Sequence, residues 1–200
     1  MAQPTTSEPT WEIAHLFPNQ GHWSEEEYIL LTNGTNRLIE FSQGKIEVLP
    51  MPTRSHQLII AYLYQVFFEL IMRPGRGTVL FAALRVRLWE NKIREPDIVV
   101  MLAEHRDREH EEYFDGADLV VEIVSPDNPS RDLVIKRTEY AQAGIPEYWI
   151  IEPKTEIVTV LRLQGETYVE HGRFERGMTA TSALLPDVTV EVGALFDAAR

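Results

Sequence analysis

The stretch DLVVEIVSP, Asp118 to Pro126, decides the fold. Val120, Val121, Ile123 and Val124 are β-branched, stiff at χ1 and suited to a buried strand. Glu122 interrupts them. Moving an ionised carboxylate out of water is costly unless a cation or hydrogen-bond donors compensate. Strand alternation sets Val120, Glu122 and Val124 on one face, with Leu119, Val121 and Ile123 on the other. The segment therefore reads as a central strand that delivers one acid to a place where something must balance it.

Working outward, EPDIVVM (95–101) poses the same problem. Asp97 follows Pro96 at the mouth of another apolar run, 25 positions before Glu122. If the two strands are neighbours the acids converge, and converging carboxylates repel unless they share a proton or a cation. A hard divalent ion such as Mg²⁺ takes carboxylate oxygens while keeping several waters. The plain alternative is that each acid caps local backbone or meets an arginine, with Arg94 nearest to Asp97. After the strand, helical spacing aligns Asp132, Lys136 and Tyr140 along one stripe. Lys136, on the helix that follows, is the candidate cation for Glu122. Its plain alternative is a surface pair with Asp132, worth about 0.2–0.5 kcal/mol.

The remaining chain supplies a scaffold for these acids. SEEEY (24–28) fits a capping box opening a short helix. RLIEF and KIEVL flank Ser42-Gln43-Gly44 as a hairpin. A long helix is expected over about 55–72, closed by RPGRG. TVLFAAL and RVRLW are strands, and residues 103–116 are a charged loop or irregular helix. A second helix follows, with Asn128 as cap, Pro129 at its first position, and Gly144 with Pro146 as its stop. EYWIIEP and EIVTVLRL form a hairpin, ETYVEHGRF adds a strand, and LFDA ends the chain on a short helix. Strands and helices alternate in the middle while hairpins dominate both ends. The expected class is α/β of the α+β kind, a central mixed sheet flanked by helices.

Composition narrows the chemistry. Two hundred residues suit one domain, read as 23–200 after a disordered leader over 1–22. With no cysteine there is no disulfide, thiolate nucleophile or cysteine-ligated zinc. The longest helical apolar stretch, IIAYLYQVFFELIM, is short and carries Gln65 and Glu69, so it is a core helix and no membrane partner is expected. MAQPTTSEPT shows neither a basic nor an apolar signal region, which favours the cytoplasm. The net charge of −12 opposes passive binding to nucleic acid, so such a partner needs a local basic patch or metal ions.

Several motifs occur in an order and spacing that resemble one family. EPDIVVM, DLVVEIVSP and RDLVIKRTEYAQAGIPEYWIIEP, with RLIEFSQGKIEVLPMPTRSHQ upstream, are similar to segments of the Uma family of bacterial restriction-endonuclease-like proteins. The resemblance runs from about Trp23 to Phe196. It implies the PD-(D/E)XK nuclease fold, with Pro96-Asp97 as the "PD" and Glu122 as the second acid. The usual lysine two positions on is Val124 here, and the family replaces it with one from the next helix, which matches Lys136. The implied activity is Mg²⁺- or Mn²⁺-dependent hydrolysis of DNA, the ion held by Asp97, Glu122 and the carbonyl of Ile123. Lys136 would orient water or balance charge.

Glu40 is a candidate to extend the metal shell, and Glu47, His56 and Tyr140 are supporting candidates. The plain readings are solvent-facing strand residues for the two glutamates, a helix-start residue for His56, and packing for Tyr140. Arg85 and Arg87 share a strand face and are candidates for phosphate contacts, or else a solvated face. Two other readings stay open: a non-catalytic module binding nucleic acid or protein, and a metal-dependent hydrolase with another substrate. Pairing of two copies, so that two sites address two strands, is compatible with the family.

Overall fold

A computed structural model describes residues 19–35 and 37–200. The leader expected over 1–22 falls largely outside these residues. Residues 19–22 form a turn tied to the first hairpin: Gly21 N donates to Gly44 O at 2.7 Å, and Gln20 Nε2 to Ile46 O at 2.6 Å. Gly44 has φ +76, and a Cβ there would meet Gly21 O at 2.7 Å, so the turn requires glycine.

Helix α1 (Glu25–Thr32) opens on the expected capping box, Ser24 and Glu27 each accepting from the other's backbone N–H. Strands β1 (Ile39–Ser42) and β2 (Lys45–Val48) follow as an antiparallel hairpin. Helix α2 (Arg54–Phe67) is capped by Thr53 and runs on as a π-helical turn, Phe68–Met72. It buries Ile59, Ile60, Leu63 and Phe67 on one stripe. Then come β3 (Gly77–Phe81), β4 (Val86–Trp89), β5 (Lys92–Arg94) and β6 (Ile98–Leu102). The charged segment holds a 3₁₀ stretch, Ala103–Arg108, and the short β7 (Phe114–Asp115). DLVVEIVSP contributes β8 (Leu119–Ile123). A π-helical turn, Arg131–Lys136, leads into α3 (Arg137–Gln142), and Gly144 at φ +74 ends it. The helical run opens at Pro129, directly after Asn128 as expected, and Asn128 O accepts from Arg131 N at 3.2 Å, while its side-chain Oδ1 accepts from Ser130 Oγ. Strands β9 (Glu147–Glu152), β10 (Ile157–Gln164), β11 (Thr167–Phe174), β12 (Thr179–Thr181) and β13 (Thr189–Glu191) precede the terminal α4 (Val192–Asp197).

The main sheet has the order β11-β10-β9-β8-β6-β3 and is mixed, because β8 and β9 run parallel while its other neighbours are antiparallel. Its two faces follow the alternation within β8. Leu119, Val121 and Ile123 join the core beneath α2 and α4, where Phe67 meets the Trp149 ring edge-on at 5.7 Å. Val120 lies in the opposite core with Tyr140, Tyr148 and Tyr168. The fold class expected from the sequence is the one observed.

The first hairpin does more than extend an edge. It belongs to a second sheet, β2-β1-β5-β4-β7, whose apolar face (Ile39, Phe41 and Ile93) packs with Tyr28 of α1. Its other face carries Glu40, Ser42, Lys92 and Arg94, and α3 covers it through Glu139, which pairs with both Lys92 and Arg94. This polar seam between the second sheet and the helical segment Arg131–Gln142 is where the buried charges collect.

Candidate active site

The register of β6 and β8 brings the two puzzling acids together. Ile98 pairs with Val121 and Val99 with Val120, so one further step sets Asp97 across from Glu122. Asp97 Oδ2 accepts from Ile123 N at 2.7 Å, which crosses to the adjoining strand, and lies 3.2 Å from His56 Nε2. Thr53 caps α2 by accepting from His56 N, and this places the imidazole beside Asp97.

Glu122 is 3% exposed. Its Oε1 accepts from the Tyr140 hydroxyl and lies 2.8 Å from Lys136 Nζ. The same ammonium is 3.4 Å from Asp132 Oδ1 and 3.5 Å from Glu40 Oε1. Lys136 is thus a buried centre for three carboxylates, and its surface-pair reading does not hold: it is 3% exposed. The π-helical turn that carries Asp132 and Lys136 aims both residues inward.

Glu40 is fully buried, contrary to the solvent-facing reading. Arg94 and Arg131 both pair with its Oε2, and Arg131 also pairs with Glu47, whose side chain is largely exposed. Arg94 reaches Glu139 as well, at 2.8 and 2.9 Å, instead of Asp97.

Electrostatics divides the acids into two groups. Burial alone would raise the Glu40 pKa, yet Lys136, Arg94 and Arg131 pull it down to about 2. Glu122 goes the other way. Burial, reinforced by Asp132, Asp97 and Glu40, outweighs Lys136 and pushes it up to about 8. Asp132 is also raised, chiefly by burial. Burial would strip the Lys136 proton, but Glu122, Glu40 and Asp132 hold it on, so the ammonium stays charged. Burial and the neighbouring Glu122 keep Tyr140 a phenol, and hence a donor. The Glu122 side of the seam is therefore short of positive charge, whereas Glu40 is amply supplied.

That deficit suits a hard cation, and the donor set is the right kind: carboxylate oxygens beside a strand end. Among the described residues no three acidic or imidazole side chains are grouped as a metal cage. An ion here would use two carboxylates, with backbone and water oxygens completing its shell, which is how Mg²⁺ commonly binds.

The structure brings Asp97, Glu122, Lys136, Tyr140, His56 and Glu40 into one cluster, with Glu47 at its rim through Arg131. Arg85 and Arg87 are engaged elsewhere. Arg85 donates to Asn33 Oδ1 and Glu112 O and lies over Tyr28; Arg87 pairs with Asp115 and Glu25 and lies over Tyr113. Two open depressions, of about 520 and 640 Å³, flank Arg87, and none of the clustered acids lines them. Arg94, expected only as a partner of Asp97, and Arg131, for which the sequence carries no expectation, enter the cluster through Glu40, and Asp132 enters it as more than a surface partner of Lys136. The four-residue step from Asp132 to Lys136 was the one visible signal.

The fold has a known counterpart. A crystal structure from Anabaena variabilis ATCC 29413, described as a putative nuclease belonging to DUF820, superposes with a TM-score of 0.73. The match covers 89% of this chain and 99% of that one at 22% identity, and the two chains share the mixed-sheet fold. Residues 25–193 match the model of the Uma2 family, described as "Putative restriction endonuclease". The chain belongs to the Uma2 family. No curated protein matches it. No helix of the described residues is long and apolar enough to cross a membrane.

Proposed function

We propose that this chain is a metal-dependent endonuclease that hydrolyses DNA phosphodiester bonds. Asp97 and Glu122, with the carbonyl of Ile123, would hold Mg²⁺ or Mn²⁺. The observation that carries this reading is the register that sets Asp97 across from Glu122, with Lys136 Nζ 2.8 Å from the second acid. When bound, such an ion would supply a Lewis acid for the phosphate and lower the pKa of water.

The chain's own groups do the rest. Ile123 N–H holds Asp97 by one oxygen. The Lys136 ammonium, steadied by Asp132 and Glu40, is a fixed positive charge beside the acids and stabilises negative charge developing on the phosphate. The Arg94 and Arg131 pairs with Glu40 keep that acid ionised and in place beneath the lysine. A cytoplasmic location, and pairing of two copies with one site per strand, accord with this role.

Supercoiled plasmid incubated with the protein and Mg²⁺ or Mn²⁺ is expected to be nicked, with the activity lost in EDTA and in Asp97→Ala. Intact plasmid with the wild-type protein under all these conditions would overturn the reading. One observation favours a second reading, a catalytically inactive nuclease-fold module binding nucleic acid or a protein partner: the net charge of −12, which works against the approach of a DNA substrate. Calorimetry showing neither Mg²⁺ nor Mn²⁺ binding would put that reading ahead.

A further inference from the structure

Each of the two acids spends one oxygen inside the protein. Glu122 Oε1 takes the Tyr140 hydroxyl and the Lys136 ion pair, and Asp97 Oδ2 takes Ile123 N–H. No hydrogen bond from the described residues falls on the second oxygen of either acid, and neither is among the sealed atoms lacking a partner. Those two oxygens remain for an ion.

Tyr140 stands apart from the other buried tyrosines. A buried phenol needs an acceptor, and a backbone carbonyl commonly serves. Tyr28 donates to Ile39 O at 2.5 Å, Tyr148 to Asp132 O at 3.0 Å and Tyr168 to Ile145 O at 2.7 Å. Tyr140 alone among these four donates to a carboxylate, and that carboxylate is Glu122. Its ring is held edge-on by Tyr148, with centroids 5.2 Å apart at 78°, so the hydroxyl is delivered from a fixed frame. The terminal torsion of a glutamate is soft, so two donors on one oxygen hold the carboxylate plane more firmly than one.

We propose that Tyr140 is a positioning residue. Its hydroxyl, acting with Lys136 on Oε1, fixes the Glu122 carboxylate so that Oε2 is the oxygen presented to the divalent ion. This rests on the nuclease reading and adds which oxygen binds and what orients it.

The test compares Tyr140→Phe with Tyr168→Phe, both close in shape to the wild type and both losing one buried hydroxyl. Mn²⁺ affinity is measured by calorimetry on the protein alone, and kcat and KM by plasmid nicking. Tyr140→Phe is expected to weaken Mn²⁺ binding about 10–100-fold, as loss of a group that orients a ligand commonly does. Its kcat should fall with KM for DNA little changed, while Tyr168→Phe leaves Mn²⁺ affinity as in the wild type. Equal Mn²⁺ affinity in Tyr140→Phe and wild type overturns the positioning role alone, as does equal weakening in Tyr168→Phe. No Mn²⁺ binding by the wild type overturns the nuclease reading, and the positioning role with it.

Discussion

Lys136→Met is expected to cut plasmid nicking by about 10²–10³-fold, the loss commonly seen when a fixed donor facing transition-state charge is removed. Methionine keeps most of the side chain's length and removes the ammonium. What remains is a cluster of Glu122, Asp132 and Glu40 without its common cation. Three effects follow: lost stabilisation of phosphate charge, greater repulsion among the acids, and a Glu122 freer to turn. Because the side chain is buried, stability is measured in parallel by urea denaturation, and the rate is compared at equal folded fraction. Full activity in a folded Lys136→Met protein would assign the lysine's role to another residue.

Arg94→Met is the largest expected effect on stability, about 3–5 kcal/mol, because removing one partner of a buried ion pair leaves the other charge uncompensated. Arg94 is 6% exposed and joins fully buried Glu40 to Glu139. Urea denaturation at neutral pH measures the loss. The pH dependence carries a second signature. Glu40 is held at about 2, below its ordinary 4.5, so its contribution is complete above about pH 4.5 and disappears as pH falls towards 2. Without Arg94 the folded-state pKa rises towards the ordinary value, and the acid limb flattens. A stability change within experimental error would show that Arg131 and Lys136 suffice for Glu40.

The alternation in DLVVEIVSP was enough to assign both faces of β8, since period-two patterning in a doubly covered strand is a local property. The capping box at Ser24, the Gly44 turn and the Gly144 stop were legible for the same reason. The meeting of Asp97 and Glu122 was legible only as a condition, that their strands be neighbours. The second sheet was not legible. It depends on the pairing of β1 with β5, a contact distant in sequence, and Ile39, Glu40 and Phe41 are buried on both sides of the strand instead of alternating.

Glu40 was therefore undervalued, and Arg94 and Arg131 were missed as its partners. Arg85 and Arg87 drew attention through alternation in β4, but alternation names a face without saying what covers it. Here the cover is Tyr28, Tyr113, Glu25 and Asp115. The π-helical geometry over Arg131–Lys136 was likewise hidden, because a helical stripe does not reveal which side of it turns inward.

Soaking a crystal of the protein in Mn²⁺ and recording the anomalous signal tests the central claim most directly. One peak is predicted beside the carboxylates of Asp97 and Glu122, with Lys136 still next to Glu122. A well-ordered crystal showing no peak there, or manganese bound only at other acids, would contradict the account.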